Sequence, residues 1–258
     1  MNIVLLGSGN VATHLGRAFK MAGQTIVQVW SPTLENATEL ADSVAAQATA
    51  DLEDINTNAD IYIIAIKDDV IREVAMALKL EDKLIVHTSG TTGLEALSGC
   101  SERTGVLYPL QTFSKGKAVD FRSVPIAIEG SSEEVTESIR ALADRLSEKV
   151  YVMSSEQRKT LHIAAVFASN FTNHLFAIAH ELLREQNLDF NLVRPLIEET
   201  ADKIRLNDPE KVQTGPAFRK DELTMQAHID LLSDKPELQN IYRNLSQSIV
   251  NLHERSEG

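Results

Sequence analysis

The hydrophobic pattern of this chain changes character near residue 152. Before that point, short apolar runs alternate with amphipathic segments; after it, every periodic segment repeats at helical spacing. The first run, 2–6, is a continuous apolar stretch of strand type. Val11, Leu15, Ala18, Phe19 and Ala22 then recur along one helical face, and Gly23 stops that helix. Residues 25–30 are a second β-rich run. Residues 61–66 are apolar throughout, as a parallel strand buried on both faces requires. A helix is predicted over 69–78, with strands over 83–87, 105–108, 124–128 and 149–152. Ser131 with Glu134 has the spacing of a capping box and opens a helix to about residue 147. Alternation of this kind predicts an α/β fold with a doubly wound, mostly parallel sheet and ligands at the carboxyl ends of its strands.

No Gly or Pro occurs between Ser131 and Arg194. Ser154 with Gln157 is a second capping-box pattern, and a helix of about 30 residues can run from there to near Gln186. Further helices fit 192–206, 218–232 and 236–253. The plan is therefore a sheet domain over 1–152 and an all-α domain over 153–258, joined without a flexible linker.

The turn after the first strand carries the most specific chemistry. Gly7-Ser8-Gly9-Asn10-Val11-Ala12 is a G-x-G-x-x-A sequence set between strand and helix, the Rossmann-type arrangement that holds a dinucleotide. Gly7 permits the tight turn, Gly9 lets backbone approach a pyrophosphate, and Ala12 permits close packing. Gly7, Ser8, Gly9, Asn10 and Val11 would hold the phosphates, helped by the helix N-terminus. The alternative is a unit of this fold without its ligand. At the end of the second β-rich run, NAD-binding units carry Asp or Glu, about 20 residues beyond the glycines. Here the chain reads Ser31-Pro32-Thr33, so Ser31 and Thr33 favour NADP, with NAD the alternative. No Arg follows, Glu35 is close, and either hydroxyl could instead cap the helix from Leu34. Ile66 and Lys67 would flank the nicotinamide; Lys67-Asp68-Asp69 could equally begin a helix.

Several other residues are candidates. His87-Thr88-Ser89-Gly90 lies past a strand end, where His87 could act as acid or base or where Ser89 and Thr92 merely shape turns. Tyr108-Pro109 could be a cis bond shaping a cleft, followed by Gln111 as a substrate contact. On the long helix, His162, Ser169, Asn173 and His180 fall in one stripe at about 100° per residue, with Asn170 about 60° round. These could line a substrate cleft or bond neighbouring helices. In 213–221, Pro216 could start a helix, with Gln213, Thr214 and Arg219 near its N-terminus to bind an anion, or with Arg219 and Asp221 as a surface pair.

Composition narrows the class. The chain has 258 residues, 43% hydrophobic and 24% charged, with a formal net charge of −12, which argues against nucleic acid and anionic membranes as partners. Cys100 is the single cysteine, so no internal disulfide forms; with no signal or membrane-length segment, the expectation is cytoplasmic. There is no clustered ligand spacing for a metal, no G-x-S-x-G and no Walker loop.

GSGNVATHL, IKDDVI, HTSG, YPLQTFS, LHIAAVFASNFTNHL and QTGPAFRKD together resemble a bacterial family of NADP oxidoreductases with a Rossmann-like and a helical domain. More distantly the chain is similar to pyrroline-5-carboxylate reductase, prephenate dehydrogenase and the 6-phosphogluconate dehydrogenase superfamily. Some relatives are described as coenzyme F420-dependent, but no residue here marks a deazaflavin site. The resemblance implies homodimers through the helical domains, a cleft where the domains meet, and hydride transfer between nicotinamide and a C=O or C=N carbon. The β-hydroxyacid dehydrogenase branch uses Lys four residues before Asn; this chain has Val166 before Asn170 and Ser169 before Asn173. The prephenate dehydrogenase branch often has His before the loop Pro, where this chain has Tyr108. The reading is an NADP(H)-dependent oxidoreductase acting on a small anionic metabolite. His87, His162, Asn170 or Asn173 would transfer the proton or polarise the reacting group, and Arg219 would bind the substrate anion, in the cleft or in that of the partner subunit. The alternative is a non-catalytic NADP-binding sensor.

Overall fold

The apolar runs become a single eight-stranded sheet. β1 (Asn2–Leu6), β2 (Thr25–Trp30), β3 (Gln47–Thr49), β4 (Ile61–Ile64), β5 (Leu84–His87), β6 (Arg103–Pro109), β7 (Ile126–Gly130) and β8 (Val150–Val152) lie in the order β3-β2-β1-β4-β5-β6-β7-β8. This is a computed structural model describing residues 1–78, 80–114 and 116–257. All pairings are parallel except β6 with β7. Successive side chains of β1 go to opposite faces. Ile3 and Leu5 join Leu15, Phe19 and Leu40 on one face, while Val4 and Leu6 join Tyr62, Ile64 and Ile85 on the other. That is why the run carries no polar position. The strand order reverses direction of growth between β1 and β4, the switch point where sheets of this kind open a ligand crevice.

Four helices cover the sheet: α1 (Asn10–Met21), α2 (Leu34–Val44), α3 (Ile71–Ala77) and α4 (Glu133–Ala143). Several local expectations are corrected. α4 is capped by Ser132, whose Oγ accepts from Val135 N at 3.2 Å, and it ends at Ala143. Ser131 instead ties the sheet edge, its Oγ accepting from Thr104 N and donating to Glu102 O. A helix from Leu94, which Ser89 or Thr92 could equally have capped, is only a 3₁₀ turn over 94–97. The Tyr108–Pro109 bond is trans, and no cis peptide occurs among the described residues. β3 was not predicted. β7 runs antiparallel: the described residues of 110–125 contain one 3₁₀ turn and no crossover helix of the kind a parallel connection needs.

The Ser154–Gln157 capping box is present and opens α5 (Ser155–Ala165). A π-helical segment, Val166–Phe171, comes next, then α6 (Thr172–Glu185). Each inserted residue turns the remainder of the helix back by about 100°, so Asn173 leaves the stripe that starts at His162.

The chain divides into two compact units, 1–175 and 176–258. The division falls beyond residue 152 because α5 packs with the sheet unit. The second unit holds the rest of α6, with α7 (Arg194–Leu206), α8 (Glu222–Leu231) and α9 (Pro236–Glu257). α8 starts later than expected. Asp221 caps it, accepting from Thr224 N and Oγ1, and Pro216 lies in a preceding turn rather than at its first position. Among the described side chains of 176–255, only Ala217 is buried. No described helix is long and apolar enough to cross a membrane.

Candidate active site

The glycine turn has the geometry its sequence requires. Gly7 has φ +123° and donates its N–H to Trp30 O at 2.8 Å; a Cβ there would stand 2.1 Å from Ala65 O. Only glycine fits both the dihedral and the space. Gly9 is the N-cap of α1 and offers no side-chain acceptor, so first-turn N–H groups of the helix await an acceptor. A Cβ on Gly9 would meet nothing within 4 Å, so its smallness serves an approaching group rather than internal packing. Uncapped N–H groups facing open space fit a dinucleotide pyrophosphate. Asn10 is exposed and donates from Nδ2 to Phe113 O at 2.9 Å; Val11 is half-buried.

Ser8 Oγ donates to Ser31 Oγ at 3.0 Å, and Ser31 is buried. Thr33 is exposed at the N-cap of α2 but makes no side-chain cap bond, leaving that helix start open as well. Ile66 is half-buried, and exposed Lys67 precedes a 3₁₀ turn. A cleft of about 400 Å³ lies elsewhere, against the C-terminal half of α1, where His14, Arg17, Met21, Phe121, Arg122 and Arg145 line it.

A second constellation forms at the ends of β4 to β6. Strand register sets Ile64, His87, Val106 and Glu129 in one row on one face, and Tyr108 lies two residues further along β6 on that face. α5 meets this row with Arg158 and His162, one helical turn apart. The Arg158 side chain is fully buried. It donates from Nε to Ser89 O at 3.2 Å and from Nη2 to Thr92 O at 2.5 Å and Ser155 Oγ at 3.3 Å, and it pairs with Glu129. Glu129 also accepts from Ser155 N at 3.0 Å and Oγ at 2.8 Å, fixing the start of α5. Ser89 Oγ accepts from the N–H groups of Thr91 and Thr92, and Thr91 Oγ1 donates to Asp68 Oδ2. Loop 88–92 is thus held by β7 and α5 on one side and by the β4 loop on the other.

In front of this loop, Tyr108 Oη and His162 Nδ1 are 3.0 Å apart. Gly90 makes room for both: a Cβ there would stand 2.5 Å from His162 Nδ1 and 2.8 Å from Tyr108 Cζ. Burial raises the Tyr108 phenol pKa, the charge of Arg158 opposes that, and Asp68 adds to it.

The expected residues divide accordingly. His162 joins Tyr108. His87 is fully buried, and its Nδ1 accepts from Ser89 N at 3.2 Å. Burial, then the charge of Arg158, lowers its pKa to about 4. It is therefore neutral near pH 7. Asn170 and Asn173 are both exposed and are not brought to Tyr108. Gln111 is exposed and bonds its neighbour Thr112. In the second unit, Gln213, Thr214 and Arg219 are exposed, with Gln213 Nε2 donating to Thr214 O. Sequence reasoning missed the roles of Arg158, Glu129 and Gly90 and the phenol of Tyr108. A lone Arg four residues before His on a helix was the one local signal. No group of acidic, His and Cys side chains suited to a metal occurs among the described residues.

Comparison with known proteins places this site in a family. Residues 2–90 match the family described as "NADP oxidoreductase coenzyme F420-dependent", and residues 124–249 match a domain of unknown function, DUF2520. A structure from Bacteroides fragilis, described as a "putative NADP oxidoreductase", is 46% identical, covers 97% of this chain and 98% of its own, and has a TM-score of 0.90. The chain belongs to this NADP oxidoreductase family. NADP is the family's cofactor. The 1-pyrroline-5-carboxylate reductase of Streptococcus pyogenes shares the fold at 14% identity and TM-score 0.65, covering 97% of this chain and 98% of that one. The reductive aminase of Aspergillus terreus, solved with NADPH and ethyl-5-oxohexanoate, shares it at 16% and 0.69, covering 99% and 93%. No curated protein matches the sequence.

Proposed function

We propose that this NADP oxidoreductase reduces a C=O or C=N carbon of a small anionic metabolite with NADPH. The observation that carries the reading is the glycine turn, with an uncapped α1 start facing open space at Gly9. NADPH, when bound, supplies a hydride. Gly7, Ser8, Gly9, Asn10 and Val11 hold the pyrophosphate by backbone N–H groups and the helix dipole. Ser31 and Thr33 meet the 2′-phosphate: no carboxylate stands at the end of β2, and the start of α2 is also uncapped. Ile66 and Lys67 flank the nicotinamide, and Gln111, Gln213, Thr214 and Arg219 contact substrate, with Arg219 taking the anion. Asn170 and Asn173, exposed on the helical segment after α5, polarise substrate rather than transfer its proton.

The cofactor domain is 1–152, and 153–258 is the helical domain. The protein acts as a homodimer through that helical domain. Ile163, Phe167 and Phe171 in the first unit, and Leu192, Leu196, Leu223 and Leu231 in the second, are all at least half exposed, and the second unit has almost no core of its own. A second copy covering these side chains satisfies them. We place the enzyme in the cytoplasm.

Titration of the purified protein with NADPH and NADH tests the reading, followed by the emission of Trp30, the only tryptophan, next to Ser31. The expected result is NADPH binding at least about tenfold tighter than NADH, a difference of about 1.4 kcal/mol. Preference for NADH would remove the 2′-phosphate assignment. Binding of neither would overturn the function.

A further inference from the structure

We propose that Tyr108 donates the proton of the reduction and that His162 reprotonates it. This rests on the reductase reading above and assigns a residue to its least defined step.

Three observations converge on the pair. The first is place. Tyr108 stands at the carboxyl end of β6, on the same face as His87, beside a loop joined through Thr91 and Asp68 to the β4 loop. That edge is where ligands of such sheets bind. The second is fit. Gly90 is buried against the pair, and any side chain there would collide with His162 Nδ1 and Tyr108 Cζ. The loop is shaped around the two rings. The third is support. Arg158 sits one turn before His162 and fixes α5 to Ser89 O, Thr92 O and Glu129, so it sets where the imidazole points. Arg158 and Glu129 are positioning residues.

The chemistry balances. The hydride brings two electrons to the substrate carbon, and the π pair of C=O or C=N moves onto the heteroatom. The O–H bond of Tyr108 breaks as the heteroatom–H bond forms. The phenolate left behind faces the positive charge of Arg158 and accepts from His162 Nδ1–H, which returns a proton as the second ring nitrogen, Nε2, takes one from water, so no imidazolate forms. His162, half-buried, reloads from water, so one solvent proton is consumed per turnover. In the resting arrangement Nδ1–H donates to Oη, leaving the phenol's own proton for substrate. The charged and titratable groups facing the pair are Arg158, Asp68, Glu129 and His87. His87 cannot take the role, because it is fully enclosed.

The test uses the full-length protein, NADPH and two probes: phenylglyoxylate for a ketone beside a carboxylate, and 1-piperideine-2-carboxylate for a cyclic imine. Tyr108→Phe should lower kcat by about 100-fold or more, with the NADPH Kd within twofold of wild type and KM little changed. His162→Gln, which can still bond the phenol, should lower kcat by about tenfold with KM little changed and raise the solvent deuterium isotope effect on kcat, because reprotonation of Tyr108 then becomes slow. Tyr108→Phe keeping a third of wild-type kcat overturns the inference and leaves the function standing. A wild-type protein that binds NADPH but reduces neither probe removes the proposed function and the inference with it. Because Tyr108→Phe could disturb packing, a second variant carries 3,5-difluorotyrosine at 108. That ring keeps the geometry but is more acidic, so the alkaline limb should move to lower pH; an unmoved limb overturns the inference.

Discussion

Replacing Arg158 by Met should destabilise the sheet unit by about 3–5 kcal/mol, the usual cost of removing one partner from a buried ion pair. The guanidinium is 0% exposed, and the Glu129 side chain is 18% exposed. Methionine keeps most of the stem and adds no polar atom, so the loss reports on charge and hydrogen bonding rather than on a cavity. The carbonyls of Ser89 and Thr92 and the hydroxyl of Ser155 each lose the guanidinium as a donor, and the Glu129 carboxylate loses its counter-charge while keeping Ser155 N and Oγ. At roughly 2–4 °C per kcal/mol for a unit of this size, the thermal transition should fall by about 6–20 °C. The companion Glu129→Gln should cost less, because an amide oxygen can still accept from Ser155 and the guanidinium keeps its carbonyls. Urea unfolding of wild type, both single variants and the double variant closes a thermodynamic cycle, with an expected coupling of at least about 1 kcal/mol. A loss below about 1 kcal/mol for Arg158→Met, or strict additivity, would refute the claim that this pair holds the loop.

Three further outcomes are expected. His87 titrates near 4 in the folded protein and near 6.5 when unfolded, so the unfolded chain takes up a proton first as pH falls; its contribution is complete above about 6.5 and is lost toward pH 4, up to about 3 kcal/mol. Urea midpoints at pH 7 and pH 5 should therefore separate less in His87→Asn than in wild type, and equal separations would contradict this. Gly7→Ala places a Cβ 2.1 Å from Ala65 O at φ +123°, so soluble yield or NADPH binding should collapse; a wild-type NADPH Kd would show the turn is not under that constraint. Phe167→Asp combined with Leu196→Asp should convert a dimer to monomer in sedimentation velocity at micromolar concentration, and a wild-type protein that is already monomeric would sink the dimer.

How much the sequence disclosed depends on how local each determinant is. The β1–turn–α1 unit was legible because Gly7, Gly9 and Ala12 each answer a constraint set within a dozen residues. The Ser154–Gln157 box was legible for the same reason. Strand direction was not: the run ending at Ile128 is apolar on its inner positions whichever way it lies, and only the absence of a crossover helix in 110–125 decides it. β3 is three residues with one buried, too short to leave a pattern. The π segment was invisible because periodicity assumes a fixed angle per residue, and that assumption put Asn173 beside His162. In the site, His87 was read correctly as lying at a strand end, but its complete burial was not read. Burial cannot be seen from HTSG alone, nor can an Arg arriving from 71 positions away.

That distant arginine explains why the chemistry sits on Tyr108 rather than on His87. A single guanidinium enclosed behind loop 88–92 acts on every titratable group nearby, and its sign is fixed. It opposes a charge on His87, and it favours the anionic form of Tyr108 against the rise caused by burial. The histidine inside the loop is therefore kept neutral and serves as an acceptor for Ser89 N–H. The phenol in front of the loop is a group whose deprotonated form the same charge can support. Glu129 balances the cation and accepts from Ser155 at the start of α5. One buried ion pair thus sets the loop, the angle of His162 and the electrostatic preference of Tyr108. Substitutions at Arg158 should consequently move stability and the pH–rate profile together, whereas substitutions at Tyr108 should move the rate and its pH dependence with little change in stability.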